Sequence, residues 1–209
     1  MSNDARGGGS LIVVSAPSGT GKTTLTRLVL KRLPAARFSV SHTTRPPRGA
    51  EQNGVDYHFV DDAEFDRMIA AGELAEWAEY QGRRYGTSNA QIAAAAAEGA
   101  DLFLDIEGQG GMQVKEQHPD AVLVFVLPPS REEQERRLRG RGVDAPEAIA
   151  RRLANARREA EFARRYDYII VNDELEDAAC SLESIVRAAR QRREKMHDAI
   201  ARFAPAEKS

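Results

Sequence analysis

The stretch LIVVSAPSGTGKTT, residues 11–24, carries the residue types of a phosphate-binding loop at almost the required spacing. The full pattern is a glycine, four residues, then Gly-Lys-Ser/Thr. Here Gly19, Gly21, Lys22 and Thr23 are present, and Ala16 stands where the first glycine is usual. In such a loop the backbone N–H groups and the positive end of the following helix face a phosphate. Lys22 can then reach the β and γ groups, and Thr23 can hold magnesium. Ala16 precedes Pro17, and a residue before proline is biased toward extended geometry, where positive φ is not needed. Alanine is therefore tolerable, and Ala16, Pro17, Ser18, Gly19, Thr20, Gly21, Lys22, Thr23 and Thr24 are expected to form one phosphate cradle. A glycine-rich turn with a solvated lysine is the plain alternative, and it leaves the order strand, loop, helix unexplained.

Three other places could do chemistry on phosphate. Arg45 and Arg48 in TTRPPR flank two prolines that limit backbone freedom, and a guanidinium fork suits bidentate phosphate contact, two exposed surface arginines being the equal alternative on these residues alone. Asp105 closes the apolar run DLFLD at a strand end, where a carboxylate can organise magnesium or its waters, or orient a basic group. From Arg131 to Arg165 eleven arginines face seven acidic residues, so this segment is locally positive. Most of those arginines are expected to be solvated or paired with Glu at helical spacing.

The elements that must position these residues alternate along the chain. Leu11 to Ser15, Asp101 to Ile106, Ala121 to Leu127 and Tyr168 to Val171 read as strands buried on both faces. With the helical patterns between them they predict an α/β core with a parallel sheet, whose ligand crevice opens at the carboxyl ends of the strands. Lys22 to Leu33 reads as a helix with Leu25, Leu28, Val29 and Leu33 on one face, stopped by Pro34. Asp61 with Glu64, Ser88 with Gln91, and Asp144 with Glu147 read as capping boxes, the first two opening helices that end near Gly72 and Gly99. The last opens a helix with the stripe Ile149, Leu153 and Ala156. ELAEWAEYQGRRYGTS alternates like a strand and hairpin. A long amphipathic helix over roughly Leu175 to Phe203 closes the chain, with Leu182, Ile185, Val186 and Ala189 on one side.

Composition narrows the class. A chain of 209 residues favours one main core. With 30 basic and 32 acidic residues the net charge is -2, so no general basic surface announces nucleic acid or an anionic membrane. The apolar runs are shorter than the roughly 20 residues of a membrane span, and the N-terminus lacks a signal pattern. Cys180 is the only cysteine, which excludes an internal disulfide and fits a cytoplasmic location.

SVSHTTRPPRGAEQNGVDYHFV, residues 39–60, taken with APSGTGKTT, GRRYGTS, DIEGQG, LPPS, RRLRGRG and YIIVND, resembles the guanylate kinases in unbroken order from about residue 10 to 204. The resemblance implies a P-loop core with a parallel sheet flanked by helices, a mixed α/β GMP-binding insertion and a helical lid. It assigns residues 1–9 to a flexible N-terminal tail, 10–37, 95–130 and 166–209 to the core, 38–94 to the insertion and 131–165 to the lid. It implies transfer of the γ-phosphate of ATP to GMP, and to dGMP, with Mg2+. On the acceptor side, Arg45, Arg48, Tyr57 and Tyr85 match positions that hold the GMP phosphate, and Glu51 falls among the GMP-binding positions. Ser41, Glu76, Thr87 and Glu107 match positions that read guanine, Glu107 standing where aspartate is common. Asp105 is placed at both the metal and the GMP, and Thr23 at the metal. On the donor side, Arg141 and Arg152 would converge on the transferring phosphate, Arg137 would lie against adenine, and Asn172 and Asp173 sit near the adenine end. Lys22, Arg45, Arg141 and Arg152 are thus the expected catalytic set. The glycines of EGQGG depart from a bulkier residue common at Gly108 and are expected to loosen that loop.

The chemistry is consistent with these residue types. The phosphate of a nucleoside monophosphate is a dianion near neutral pH, its second pKa being about 6, so no general base is needed. Charge neutralisation and alignment of two polyanions are needed instead. Two other classes stay open on sequence alone. One is a non-catalytic guanylate-kinase-like binding module, against which Lys22 and Thr23 speak. The other is a P-loop kinase for a different phosphorylated small molecule, against which SHTTR, Glu76 and Thr87 speak. The oligomeric state is not legible.

Overall fold

The computed structural model describes residues 9–80, 82–140 and 146–203, with Pro146 described in its backbone only. Five strands form the core sheet: β1 (Leu11–Ser15), β2 (Ala36–Phe38), β7 (Asp101–Asp105), β8 (Val122–Leu127) and β9 (Tyr168–Val171). They lie in the order β2-β7-β1-β8-β9, and every pair is parallel. β1 sits at the centre with Ile12, Val13 and Val14 fully buried, as an apolar run covered on both faces requires. Its register sets Val14 beside Asp105, so the ends of β1 and β7 open into one crevice.

Helices α1 (Lys22–Arg32) and α7 (Leu175–Arg190) cover one face. Leu25, Val29 and Leu33 from the first and Leu182, Val186 and Ala189 from the second share a core cluster with Ile12, Val14 and Val124. The other face holds Val13, Leu104, Leu123 and Phe125 with Met112 and Val114 of α4 (Gly108–Gln117), Ala95 of α3 (Asn89–Ala97) and Tyr166. A second sheet, β4-β3-β6-β5, is built from β3 (His42–Thr43), β4 (His58–Phe59), β5 (Leu74–Tyr80) and β6 (Arg83–Ser88). β5 and β6 form the antiparallel hairpin expected from the alternation. Helix α2 (Asp62–Ala70) buries Phe65 and Met68 against Leu74, and the Asp61 carboxylate caps it by accepting from the Glu64 N–H at 2.7 Å. Helices α5 (Arg131–Arg139) and α6 (Pro146–Ala160) follow β8, and α8 (His197–Phe203) ends the described chain. No helix among the described residues is long and apolar enough to cross a membrane.

Three sequence expectations need correction, and one strand went unforeseen. β9 is an edge strand, so Tyr168, Ile169 and Val171 are exposed and only Ile170 is buried. The opposite edge, β2, carries exposed Arg37 and Phe38 and has no apolar signature of its own. The Ser88 side chain does not cap α3: it is buried at the end of β6, while Gln91 turns to the segment between β2 and β3, its Oε1 accepting from Val40 N at 2.9 Å and from Ser39 Oγ at 3.2 Å. The long C-terminal helix is two helices. Basic side chains at the break are drawn to acceptors at the amino edge of the sheet: Arg190 to Asp101, Arg192 to Asp120 O at 3.2 Å, and Lys195 to Gly9 O and Ser10 Oγ, both at 2.7 Å. Arg192 takes an extended conformation there, and a short 3-10 turn over Arg193–Lys195 precedes α8. The cap expected at Asp144 lies outside the described residues, as does most of the N-terminal tail, while Ile149 and Ala156 of α6 are buried as the stripe requires.

Strands β3 and β4 are joined by a histidine pair. His42 and His58 are register partners with rings stacked at 4.6 Å, and the buried His42 Nδ1 has no hydrogen-bond partner. Burial, and then the neighbouring His58, hold the His42 pKa below its ordinary value, against the opposing pull of Glu64 and Glu73. A histidine depressed on folding binds fewer protons folded than unfolded below pH about 6.5, so stability falls as pH drops through that value. The expected result is a Tm that declines between pH 7 and pH 5 by less in His42→Phe than in the unmodified protein. Equal acid sensitivity in thermal melts of the two would contradict this.

Candidate active site

The loop between β1 and α1 turns tightly because Gly19 and Gly21 take φ of 88° and 86°, a region other residues rarely enter. Ala16 has no such requirement and packs partly against the core below. Thr20 Oγ1 donates to Pro17 O at 3.0 Å and locks the loop from within. At its end the Lys22 ammonium forms an ion pair with Asp105 and donates to Ile106 O at 3.2 Å. Thr23 Oγ1 lies 3.5 Å from the other Asp105 oxygen. Asp105 therefore orients a basic group, Lys22 rather than Arg45, while keeping an oxygen beside the Thr23 hydroxyl.

Next to it opens a cavity of about 320 Å³ lined by Ser41, Tyr57, Glu76, Tyr85, Asp105 and Glu107, with Gly110 at its wall. β5 and β6 bring Glu76 and Thr87 into register, and Thr87 Oγ1 donates to Glu76 Oε1 at 2.8 Å. Glu76 is only 4% exposed. Desolvation raises its pKa to about 7, opposed by the bonds from Thr87. A buried carboxylate at the wall of a polar cavity is poised for a ligand that donates to it. Glu107 is exposed at the start of α4, on the cavity rim.

The two arginines of TTRPPR differ. Arg45 is buried, its guanidinium 5.1 Å from the centre of the Tyr57 ring, and Tyr57 meets Tyr85 edge-on at 6.0 Å. Arg48 is exposed. Glu51, one of the expected GMP-binding positions, accepts from both Arg45 terminal nitrogens at 2.9 Å and from Arg48 N at 2.8 Å. In that arrangement it fixes the Arg45 fork.

The loop after β7 is not loose. Gly108, Gly110 and Gly111 are buried in the first turn of α4. A Cβ on Gly108 would come within 2.7 Å of Phe162, so the aromatic ring fills the space a larger residue would take. Beneath it Tyr166 donates to Ser15 Oγ at 2.7 Å, and Ser15 donates to Ile106 O at 2.8 Å. Burial pushes the Tyr166 pKa up to about 12, so it stays a donor. Ser15, Phe162 and Tyr166 support the site and went unmarked in the sequence, because Ser15 ends β1 while Phe162 and Tyr166 lie some 150 residues on, in and just after a short 3-10 turn over Glu161–Arg165.

On the other side of the loop, Asn172 Nδ2 donates to Thr20 O at 2.6 Å and Arg137 to Asn172 O at 2.9 Å and Asp173 O at 3.3 Å. Arg137 and Asn172 thus sit beside the loop, and Thr24 and Asp173 are exposed near it. Arg152 lies half-buried on α6, and Arg141 is outside the described residues. Among the described residues no group of three or more acidic, histidine or cysteine side chains could hold a metal by itself.

Known proteins match this arrangement throughout. The family model described as guanylate kinase matches residues 8–189. A guanylate kinase of Dechloromonas aromatica is 51% identical over 87% of this chain and 90% of its own length, and one of Myxococcus xanthus is 52% identical over 90% of each. The crystal structure of guanylate kinase from Anaplasma phagocytophilum superposes with a TM-score of 0.75 at 32% identity, covering 97% of this chain and 98% of the other. With a glycine-rich loop and its lysine at the end of the parallel sheet and a carboxylate-walled cavity beside them, the chain belongs to the guanylate kinase family.

Proposed function

We propose that this chain transfers the γ-phosphate of ATP to GMP in one in-line step. Residues 16–24, with Arg137, Asn172 and Asp173, take ATP, and the cavity between the two sheets takes GMP. The observation that carries the reading is Glu76: a buried carboxylate, held by Thr87, on the wall of a cavity that also reaches Asp105 beside Lys22. Guanine presents N1–H and N2–H side by side, which one carboxylate accepts as a pair, while a hydroxyl donor such as Ser41 suits its O6. Arg45, Arg48, Tyr57 and Tyr85 hold the GMP phosphate, and Glu107 closes the base pocket.

A GMP phosphate oxygen attacks the γ-phosphorus as the bond to the β–γ bridging oxygen breaks, giving GDP and ADP. The nucleophile is already ionised, so the protein's work is alignment and charge stabilisation. Lys22 leaves Asp105 to meet the β and γ phosphates, and Arg152 and Arg141 bring charge from the lid, 131–165, over the insertion, 38–94. The site fits magnesium: Thr23 Oγ1 and Asp105 offer hard oxygens on one side, and phosphates and water must complete the shell. When bound, magnesium neutralises phosphate charge and orients the β and γ groups. dGMP is an expected second acceptor, and a cytoplasmic location belongs to the same proposal.

The test is formation of GDP and ADP from GMP and ATP by the purified protein, with and without magnesium. Turnover that EDTA abolishes is expected. Turnover that persists in excess EDTA would remove the metal from the account, and folded protein without turnover would remove the activity.

A further inference from the structure

Helix α5 buries two residues, Gln134 and Leu138, one turn apart. Leu138 packs on Gly19, where an added Cβ would meet it at 2.9 Å. Gln134 is the odd member: a polar side chain only 4% exposed at a core position. Buried amides are kept where they have a partner. Here the partner is the phosphate loop itself, for Gln134 Nε2 donates to Ser18 O at 2.7 Å.

The direction of that bond matters. In a planar trans peptide the C=O of one residue and the N–H of the next point to opposite sides. Drawing the Ser18 carbonyl toward α5 turns the Gly19 N–H away from α5, into the loop's hollow. The same logic holds at Thr20, whose carbonyl is taken by Asn172 Nδ2 at 2.6 Å, so the Gly21 N–H also turns inward. Both N–H groups belong to the two positive-φ glycines of the loop. Without such ties the peptide unit can rotate and present a carbonyl oxygen to an anion.

We propose that Gln134 is a positioning residue of the donor site, holding the 18–19 peptide so that the Gly19 N–H faces the bound ATP phosphates. It acts through the backbone and touches no reacting atom. The proposal rests on the assignment of residues 16–24 to ATP.

Two variants test it. Gln134→Leu keeps an apolar-compatible volume and removes the donor; Gln134→Glu keeps the shape and sets an acceptor against the Ser18 carbonyl. Calorimetric Kd values for ADP and for GMP, with Tm, are measured on all three proteins. Loss of one hydrogen bond predicts an ADP Kd raised about 3- to 10-fold in Gln134→Leu. A larger rise is expected in Gln134→Glu, with the GMP Kd within about twofold of the unmodified protein in both. ADP binding unchanged in a folded Gln134→Glu, or ADP and GMP weakened alike, overturns the proposal. Should Gln134→Glu fail to fold, the ADP-to-GMP split in Gln134→Leu decides alone. No ADP binding by the unmodified protein removes the donor assignment, and this proposal with it.

Discussion

Lys22→Ala is expected to lower kcat about 10³-fold, the scale seen when one fixed cationic or donor group is taken from a transition state. Lys22 stands at the junction of loop and cavity, at once paired with Asp105 and bonded to Ile106 O. Its removal withdraws positive charge from the phosphates and leaves the Asp105 carboxylate, 14% exposed, facing them unopposed. The base-reading wall, Glu76 with Thr87, is untouched, so the fall in kcat should far exceed any rise in the Kd for GMP that the unpaired Asp105 causes. Single-turnover transfer rates and GMP titration on the same protein check both halves. A kcat reduced less than about tenfold would show that Lys22 does not act on the transferring group.

Glu76→Gln is expected to lower kcat/KM for GMP by about 10³, within the range for a buried polar site that loses its matched partner. The amide sets an N–H against the guanine N1–H or N2–H, and the Thr87 hydroxyl loses its ionised acceptor. Adenine, an acceptor at N1, gains by the same change, so AMP turnover should rise relative to GMP. The unmodified protein should show this discrimination titrating. With a pKa of about 7 raised by burial, Glu76 is ionised at pH 8 and protonated at pH 6. Its ionised fraction then drops about tenfold across that interval, and the GMP-to-AMP ratio of kcat/KM should drop with it. The substrate phosphates titrate alike and cancel in the ratio. A ratio constant from pH 6 to pH 8 would take the proton off Glu76. The sign for stability is opposite to that of a paired carboxylate: between pH 4.5 and 7 the fold holds a proton the unfolded chain releases, so ionising Glu76 costs stability as pH rises.

The central strands, α1 and the β5–β6 hairpin were legible because each is a local period: apolar runs, a 3.6 stripe, strict alternation. So was the phosphate loop, whose chemistry is compressed into nine consecutive residues. Elements at the sheet edges were misjudged, since β9 and β2 bury too little to leave a pattern, and the break after Arg190 depends on partners some 90 residues away. The acceptor site was legible mainly through the family resemblance, and the structure adds partners the sequence did not name. Glu51 holds the Arg45 fork, and of the two roles open to Asp105 the structure shows the pairing with a basic group, Lys22. Gln91, Gln134 and Tyr166 could not have been found, because an isolated polar residue inside a helical or arginine-rich stretch is indistinguishable from a solvated one until its partner is seen.

The most direct measurement of the central claim is kcat/KM for GMP, dGMP, AMP, CMP and UMP, each with ATP and magnesium, followed as nucleoside diphosphate formed. The account predicts turnover of GMP and dGMP, with AMP, CMP and UMP lower by about 10³ or more. Comparable turnover of AMP, or none of GMP by folded protein, would contradict it.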